Sequence, residues 1–466
     1  MIELGIDEIA DATAGRVLGD AGARVTGPVV IDSRLVVPGA LFVALRGEHV
    51  DGHDFVATAV AAGAAAVLVA HEVDAPAAVV VDDVQAALGA LAREVLARLR
   101  AAGPLEVVGI TGSVGKTTTK DLVGQLLAAE APTVVPRGSF NNEIGLPLTV
   151  LEADASTRYL VLEMGASGIG HVTYLTGIAA PDVAVVLVVG SAHLGEFGGV
   201  EAIAQAKAEL VAGVRAGGTA ILNGDDLRVV AMAAAAHGPV VTFGTVTGVD
   251  VRAQDVRIDR AGRATFTLVA GEMTAEVALR LVGEHHVTNA LAAATVALRL
   301  GLAPEVVAER LSAARAVSPH RMQVTERPDG VTIIDDSYNA NPDSMRAALR
   351  ALAVVAGRDR RSIAVLGEML ELGEDSRERH DEVGRLAVRL NVRLTVVVGD
   401  GAWAIREGAM MEGSWGDEVI HVADVDAARA VLADEVRAGD VVLVKASHGT
   451  GLWRLGDELA ATEVDA

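Results

Sequence analysis

The sequence predicts an α/β protein of three domains: a small N-terminal α/β domain, a central doubly wound parallel-sheet domain with a phosphate loop, and a C-terminal Rossmann-like α/β domain. Three observations carry this. The chain has 466 residues, enough for about three domains of roughly 100–200 residues each. Runs apolar on both faces (LEVVGI, YLVLEMG, DVAVVLVVG, VTIIDDS, SIAVLGE, LTVVVGD) alternate with helix-like stretches, the pattern of a parallel sheet covered on both sides. The stretch VVGITGSVGKTTTK sets a glycine-bearing turn between such a strand and such a helix, as a phosphate-binding loop requires.

In chain order, residues 1–104 carry RVTGPVVIDS, ALFVALRG, AAAVLVA and AAVVVDD between glycine-rich turns, then the helix-like QAALGALAREVLARLR. Residues 105–317 continue strand then helix: LEVVGI, KDLVGQLLAAE, YLVLEMG, DVAVVLVVG, VEAIAQAKAELVAGV, GTAILNG. Residues 318–466 repeat the scheme, ending in DVVLVKAS and a last helical stretch. Solenoid-type repeats are absent.

Composition excludes several classes. Hydrophobic residues make up 51% of the chain, yet no apolar run reaches the ~18 residues of a membrane span, and MIELGIDEIA lacks the marks of a signal peptide; a cytoplasmic protein is expected. Without cysteine there are no disulfides, thiolate metal sites or cysteine nucleophiles. A net charge of −23 argues against a nucleic-acid surface, so an anionic ligand needs purpose-built loops.

In open parallel sheets ligands bind beyond the carboxyl ends of the strands. The residues standing there are Thr111 to Thr118, Glu163, the segment around His193, Asp335 to Asn341, Gly367 to Met369 and Lys445 to His448. In the phosphate loop, Thr111, Gly112, Ser113, Val114, Gly115 and Thr118 supply backbone, Lys116 adds charge and Thr117 offers a hydroxyl to Mg²⁺. Ile110 stands where the general pattern has glycine. Glu163, closing YLVLE, suits a hard cation, although a glutamate at a strand end is often surface decoration. Taken alone, His193 in GSAHLGEFGG reads as a solvated loop residue and Lys207 in AIAQAKAEL as an exposed helical lysine. These residues by themselves indicate an ATP-using enzyme of unspecified reaction.

The ordered strings TGSVGKTTTK, SFNNEIGLPLTVL, LEMG, GSAHLGEFGG with AKAEL, GEHHVTNALAA, PHRMQ, IDDSYNANPDSM and VLGEMLELG resemble the ATP-dependent Mur ligases of peptidoglycan synthesis over almost the whole chain. That family's phosphate loop has the shorter form T-G-x-x-G-K-T, which accounts for Ile110. The resemblance implies that Lys116 and Thr117 hold ATP phosphates and Mg²⁺, that Glu163 completes that metal site, and that His193 ligates a second ion. It also implies Asn289 on the adenine side, Arg321 and Asp336 as nucleotide contacts with Asp336 on the ribose, and His320 supporting the reacting centre. Lys207 corresponds to a lysine commonly carbamylated. An unmodified ammonium ~4 Å from a dication would be repelled by about 8 kcal/mol at an effective dielectric of 20, whereas a carbamate supplies oxygen ligands.

Asp32, Ser33 and Arg34, followed by a Pro-Gly turn and DGHDF, resemble the segment holding the UDP end of the substrate, and Asn141 and Asn142 resemble residues near the muramoyl sugar. VKASHGTGLW departs from the family's K-G-S-R at Ala446 and His448. The Asp-Asn-Pro-Arg of relatives that add one amino acid is absent, whereas Tyr338, Asn339 and Asn341 resemble the dipeptide-adding branch. The implied reaction couples D-alanyl-D-alanine to a UDP-N-acetylmuramoyl-tripeptide through an acyl phosphate, with the third domain closing over the second. A monomer is expected, and the third peptide residue, diaminopimelate or lysine, stays open. Competing readings are a sister ligase adding one amino acid, a folate-type polyglutamate ligase, and a nucleotide-binding regulatory protein without ligase activity.

Overall fold

The computed structural model describes residues 1–47, 49–190, 197–413 and 416–461. Among them the strands form three large sheets and a short two-strand ladder. The N-terminal sheet runs Arg16–Gly19, Ala77–Val80, Ala66–Val69, Leu41–Val43, Val29–Val30, parallel except at the first edge. The helix Val84–Ala102 starts where the Asp83 carboxylate accepts from the Ala86 N–H at 3.0 Å, a standard N-cap. Its buried stripe of Leu88, Leu91, Val95 and Leu99 follows helical spacing. That stripe shares one core with Leu146, Leu175 and Ile178 of the central domain, so burial of apolar surface fixes the two domains against each other.

The central sheet runs Met273–Val282, Arg263–Ala270, Val251–Ile258, Val240–Gly244, Thr219–Asn223, Val183–Val186, Glu106–Thr111, Tyr159–Glu163, Thr133–Val134. It is parallel from Thr133–Val134 to Val251–Ile258 and antiparallel beyond. The sequence shows no strand-like run between Asn223 and His286. The hairpins there are wet on one face, with Ala264, Phe266 and Leu268 buried and Arg263 and Thr265 between them exposed, so they lack a continuous apolar run. The strand Glu106–Thr111 lies between Tyr159–Glu163 and Val183–Val186, where the strand order reverses, which opens a crevice at its carboxyl end.

The C-terminal sheet runs Gln323–Glu326, Thr332–Asp335, Val441–Lys445, Ser362–Leu366, Leu394–Val398, Val419–Val422, with only the first pair antiparallel. The last strand, Val441–Lys445, inserts between the two that open the parallel part, so the loops after all three meet at one crevice. The linker is tied across the domains: the Ser318 N–H donates to Asp121 Oδ2 at 3.1 Å, and Val282 of the central sheet joins the third domain's core.

Candidate functional site

The crevices of the central and C-terminal sheets face each other across a cavity of about 670 Å³. Ser113 to Thr118, Asn141, Asn142, Glu163, Lys207 and Asn289 line one wall, and Arg321, Asp336, Tyr338, Asn339, Asn341 and Lys445 the other. At the phosphate loop, Gly115 takes φ +85° as N-cap of the helix Lys116–Ala128, and a Cβ there would lie 2.4 Å from Asn289 Oδ1. Glycine is required on both counts. The first N–H groups of that helix are therefore free for an anion. Lys116 is half-buried, donates to the Gly112 carbonyl at 2.8 Å, and is held below its ordinary pKa by burial, which the Glu163 charge opposes. Thr111 and Gly112 stand behind the loop and do not line the cavity.

Buried Glu163 collects the polar network. Its Oε2 accepts from Thr117 Oγ1 at 2.9 Å and its Oε1 from Asn141 Nδ2 at 2.7 Å. The Thr117 and Ser139 hydroxyls are 2.9 Å apart, and Arg321 donates to Ser139 Oγ at 3.0 Å, carrying the network toward the third domain. Lys120, buried one turn after Lys116, donates to the carbonyls of Pro136 and Gly138 at 2.8 and 3.1 Å and so fixes the loop that bears Ser139 and Asn141. A lysine at that helical spacing reads in sequence as a solvated face, which is why it was missed.

Lys207 is 4% exposed, and its ammonium has no hydrogen-bond or ion-pair partner among the described residues. Burial first, and the Lys116 charge second, hold its pKa well below the ordinary lysine value. His285 and His286, whose rings lie 4.1 Å apart, also line the cavity and were passed over in favour of Asn289 in the same string. Burial lowers His285 to about 4 and holds His286 well below 6.5. Since unfolded histidine binds protons at higher pH than these folded ones, stability should fall as the pH drops from 6.5 toward 4. For His285 alone the loss at pH 5 is on the order of 1–2 kcal/mol. Urea unfolding at pH 7 and pH 5 checks this: the difference should shrink in His285→Asn, and an unchanged difference refutes it.

On the facing wall, the Arg321 guanidinium stacks on the Tyr338 ring at 4.1 Å. Asp336 accepts from the Met322 N–H at 3.0 Å and pairs with buried Lys445, which also donates to the Asn339 carbonyl at 2.9 Å. Much of the capacity expected to serve a ribose is thus engaged within the protein. Asn341 caps the helix Pro342–Ala356, its Oδ1 accepting from the Ser344 N–H at 2.9 Å, so its amide oxygen is not free for a dipeptide. His320, expected beside the reacting centre, does not line the cavity. With φ +57° at His320 and +48° at Met322, its Nδ1 meets Asp335 Oδ2 at 2.7 Å and its ring lies 5.8 Å from Trp453. The two sequence departures have local reasons. The Ala446 methyl occupies space that a Cβ on Gly367 would invade at 2.7 Å, and His448 stacks between Tyr338 and Trp453 at 5.3 and 5.8 Å.

Asp32, Ser33 and Arg34 lie in the N-terminal domain away from the cavity. The Arg34 guanidinium and backbone N–H both bind Asp32, lowering its pKa to about 2, and the Arg34 side chain is exposed. His193 lies outside the described residues. The loop leading to it is anchored on the phosphate loop, with the Gly190 N–H donating to Ser113 Oγ at 2.9 Å.

Comparison with known proteins gives a consistent result. Residues 17–99 match the model "Mur ligase family, catalytic domain", residues 110–297 "Mur ligase middle domain", and residues 320–448 "Mur ligase, glutamate ligase domain". The chain is 50% identical to a UDP-N-acetylmuramoyl-tripeptide–D-alanyl-D-alanine ligase of Mycobacterium tuberculosis, with 99% of each chain covered. To the enzyme of the same name in Bacillus subtilis it is 35% identical, with 98% of this chain and 99% of the relative covered. Among solved structures it superposes on MurF from Acinetobacter baumannii with a TM-score of 0.87 at 32% identity, covering 99% of this chain and 100% of that one. Against the MurF ligase from Thermotoga maritima in complex with ADP the TM-score is 0.80 at 32% identity, covering 94% and 97%.

Proposed function

The chain belongs to the Mur ligase family, and from that premise we propose how its cavity performs an ATP-dependent ligation. The protein joins D-alanyl-D-alanine to a UDP-N-acetylmuramoyl-tripeptide with consumption of ATP, a step of peptidoglycan synthesis. The observation that carries the mechanism is the union of Lys116, Thr117 and Glu163 with Tyr338, Asn339 and Lys445 around one cavity. In this reading residues 1–104 hold the UDP end through Asp32, Ser33 and Arg34, residues 105–317 hold ATP, and residues 318–466 hold the dipeptide.

A free carboxylate is a poor acyl donor. The tripeptide's terminal carboxylate therefore attacks the γ-phosphorus of ATP, ADP leaves, and the resulting acyl phosphate is attacked by the dipeptide's amine with loss of phosphate. The loop Ser113–Thr118, backed by Thr111 and Gly112, cradles the phosphates, Lys116 offsets the charge on the transferring phosphoryl group, and Arg321 contributes from the opposite wall. Asn141 and Asn142 lie where the muramoyl end enters, and Tyr338 and Asn339 orient the dipeptide. The adenine side belongs to Asn289 and the ribose to Asp336, which must then exchange part of its Lys445 pairing. His320 acts through Asp335, which also accepts from the Ser337 N–H at 3.1 Å, and so positions this loop.

The buried hydroxyl of Thr117 and carboxylate of Glu163 are hard oxygen donors side by side, which fits Mg²⁺. Carbamylated Lys207 and His193 would complete the holding groups for two ions, and the metal supplies charge neutralisation for phosphoryl transfer. Lys207 has no partner among the described residues, and burial pushes its pKa down, which favours the neutral amine that reacts with CO₂ and supports the carbamate. Closed over one another, the two walls exclude water from the acyl phosphate. A monomer working in the cytoplasm, with cell shape and division depending on its product, completes the proposal.

Substrate choice tests the reading. Phosphate release should be rapid with ATP, UDP-N-acetylmuramoyl-tripeptide and D-alanyl-D-alanine together, and slow when a single amino acid is offered to the dipeptide precursor. The reverse preference would assign the protein to a sister branch.

A further inference from the structure

We propose that Asp121 and Gln125 are positioning residues for phosphoryl transfer: from one face of the helix behind the phosphate loop they hold the linker to the third domain, so that the Arg321 guanidinium stands opposite Lys116. The inference deepens the ligase reading above and rests on it. The two residues are four apart on the helix Lys116–Ala128, so their side chains lie one above the other on the same face. Both grip the backbone of the linker. Gln125 makes a two-point contact with Arg315, its Oε1 accepting from the Arg315 N–H at 3.0 Å and its Nε2 donating to the Arg315 carbonyl at 3.0 Å. Further along, Asp121 Oδ2 accepts from the Ser318 N–H at 3.1 Å, while its Oδ1 pairs with buried Lys120 at 2.7 Å. Lys120 in turn holds the Gly138 carbonyl, next to the Ser139 hydroxyl to which Arg321 donates. Helix, linker, Arg321 and the Ser139 loop thus close a ring of contacts.

Arg321 needs such a frame. His320 and Met322 on either side of it take φ +57° and +48°, conformations that non-glycine residues keep only when their surroundings impose them. Asp335 and Asp336 hold these two neighbours from the third domain, and Asp121 and Gln125 hold the approach from the second. Asp121, Ser318 and Arg321 border a void of about 10 Å³, at most the room of one water, so the linker has little freedom to shift toward the helix.

The guanidinium lines the main cavity, and among the described residues its Nε–H has no acceptor. Burial lowers the Lys116 pKa, and the Arg321 charge lowers it further against the pull of Glu163, so both cations face one space. An anion entering there meets a lysine from the phosphate loop and an arginine whose distance from it is set by the linker. A guanidinium displaced by ~1 Å would leave ATP bound through the loop but would stabilise the transferring phosphoryl group poorly. The role therefore belongs to kcat, and it passes through Arg321.

The test is a double-mutant cycle in the full chain, with ATP, UDP-N-acetylmuramoyl-tripeptide and D-alanyl-D-alanine at saturation. Asp121→Ala should lower kcat by about tenfold or more and Gln125→Ala by about threefold, with KM for ATP little changed. In the Arg321→Ala background both substitutions should cost almost nothing further, because the group they position is gone. A merely structural role would cost the same factor in both backgrounds and lower the thermal midpoint with it. Gln125 is partly exposed, so Gln125→Ala decides the matter should Asp121→Ala, which strands buried Lys120, fail to fold. Wild-type kcat in Gln125→Ala, or an equal cost with and without Arg321, overturns the proposal. No phosphate release by the wild type with these substrates would instead overturn the ligase reading beneath it.

Discussion

Lys116→Ala is expected to lower ATP turnover by at least about 10³-fold while leaving the thermal unfolding midpoint unchanged or raised. The expectation on activity follows from position. Lys116 is the first residue of the helix behind the phosphate loop, and its ammonium reaches over the loop to the Gly112 carbonyl, facing the cavity. A γ-phosphoryl group drawn into that cavity gains the lysine as a counter-charge in a site of low dielectric. The expectation on stability follows from burial. Sequence suggests an exposed loop lysine, but here the ammonium is desolvated, and that desolvation outweighs the favourable Glu163 charge in lowering its pKa. Removing it relieves a cost, and no packed core depends on it. Steady-state turnover with calorimetric unfolding checks both halves; near-wild-type turnover in a folded variant would remove the phosphate-loop assignment.

Lys207→Ala should lose most activity, and millimolar short-chain carboxylates should restore part of it. Lys207 is buried with no partner among the described residues, an arrangement that a native protein rarely maintains for a permanent cation. Converting the amine to a carbamate changes a repelled cation beside Lys116 into an anion that Lys116 and a divalent ion both stabilise. A small carboxylate can occupy the space left by the alanine variant and present similar oxygens. Labelled bicarbonate gives an independent readout: a protein-bound carbamate carbon signal in the wild type, absent from the variant. A fully active variant, or rescue by amines in place of carboxylates, would falsify the carbamate.

Much of this is legible in the sequence. Strands apolar on both faces announce themselves, and so does the phosphate loop, because a parallel sheet buries both sides and a phosphate cradle demands glycine at a set place. Glu163 and Asp336 were found because they stand at or just beyond strand ends. The three strands of the hairpins between Val251 and Val282 escape because their outer faces are polar. Lys120 and His286 escape because burial of a polar side chain leaves no trace in local periodicity.

The sequence by itself determined the fold class, the alternation of apolar strands with helices and the chemistry of the phosphate loop, since those depend on periodicity and on residues adjacent in the chain. Only the tertiary structure decided which wall each group serves. It turned His320 toward Asp335 and away from the cavity, assigned Asn341 to a helix cap, paired Asp336 with Lys445 across 109 residues, and left Lys207 buried with no partner among the described residues. These outcomes depend on desolvation and on contacts between residues far apart in the chain, and both are set only once the sheets have packed.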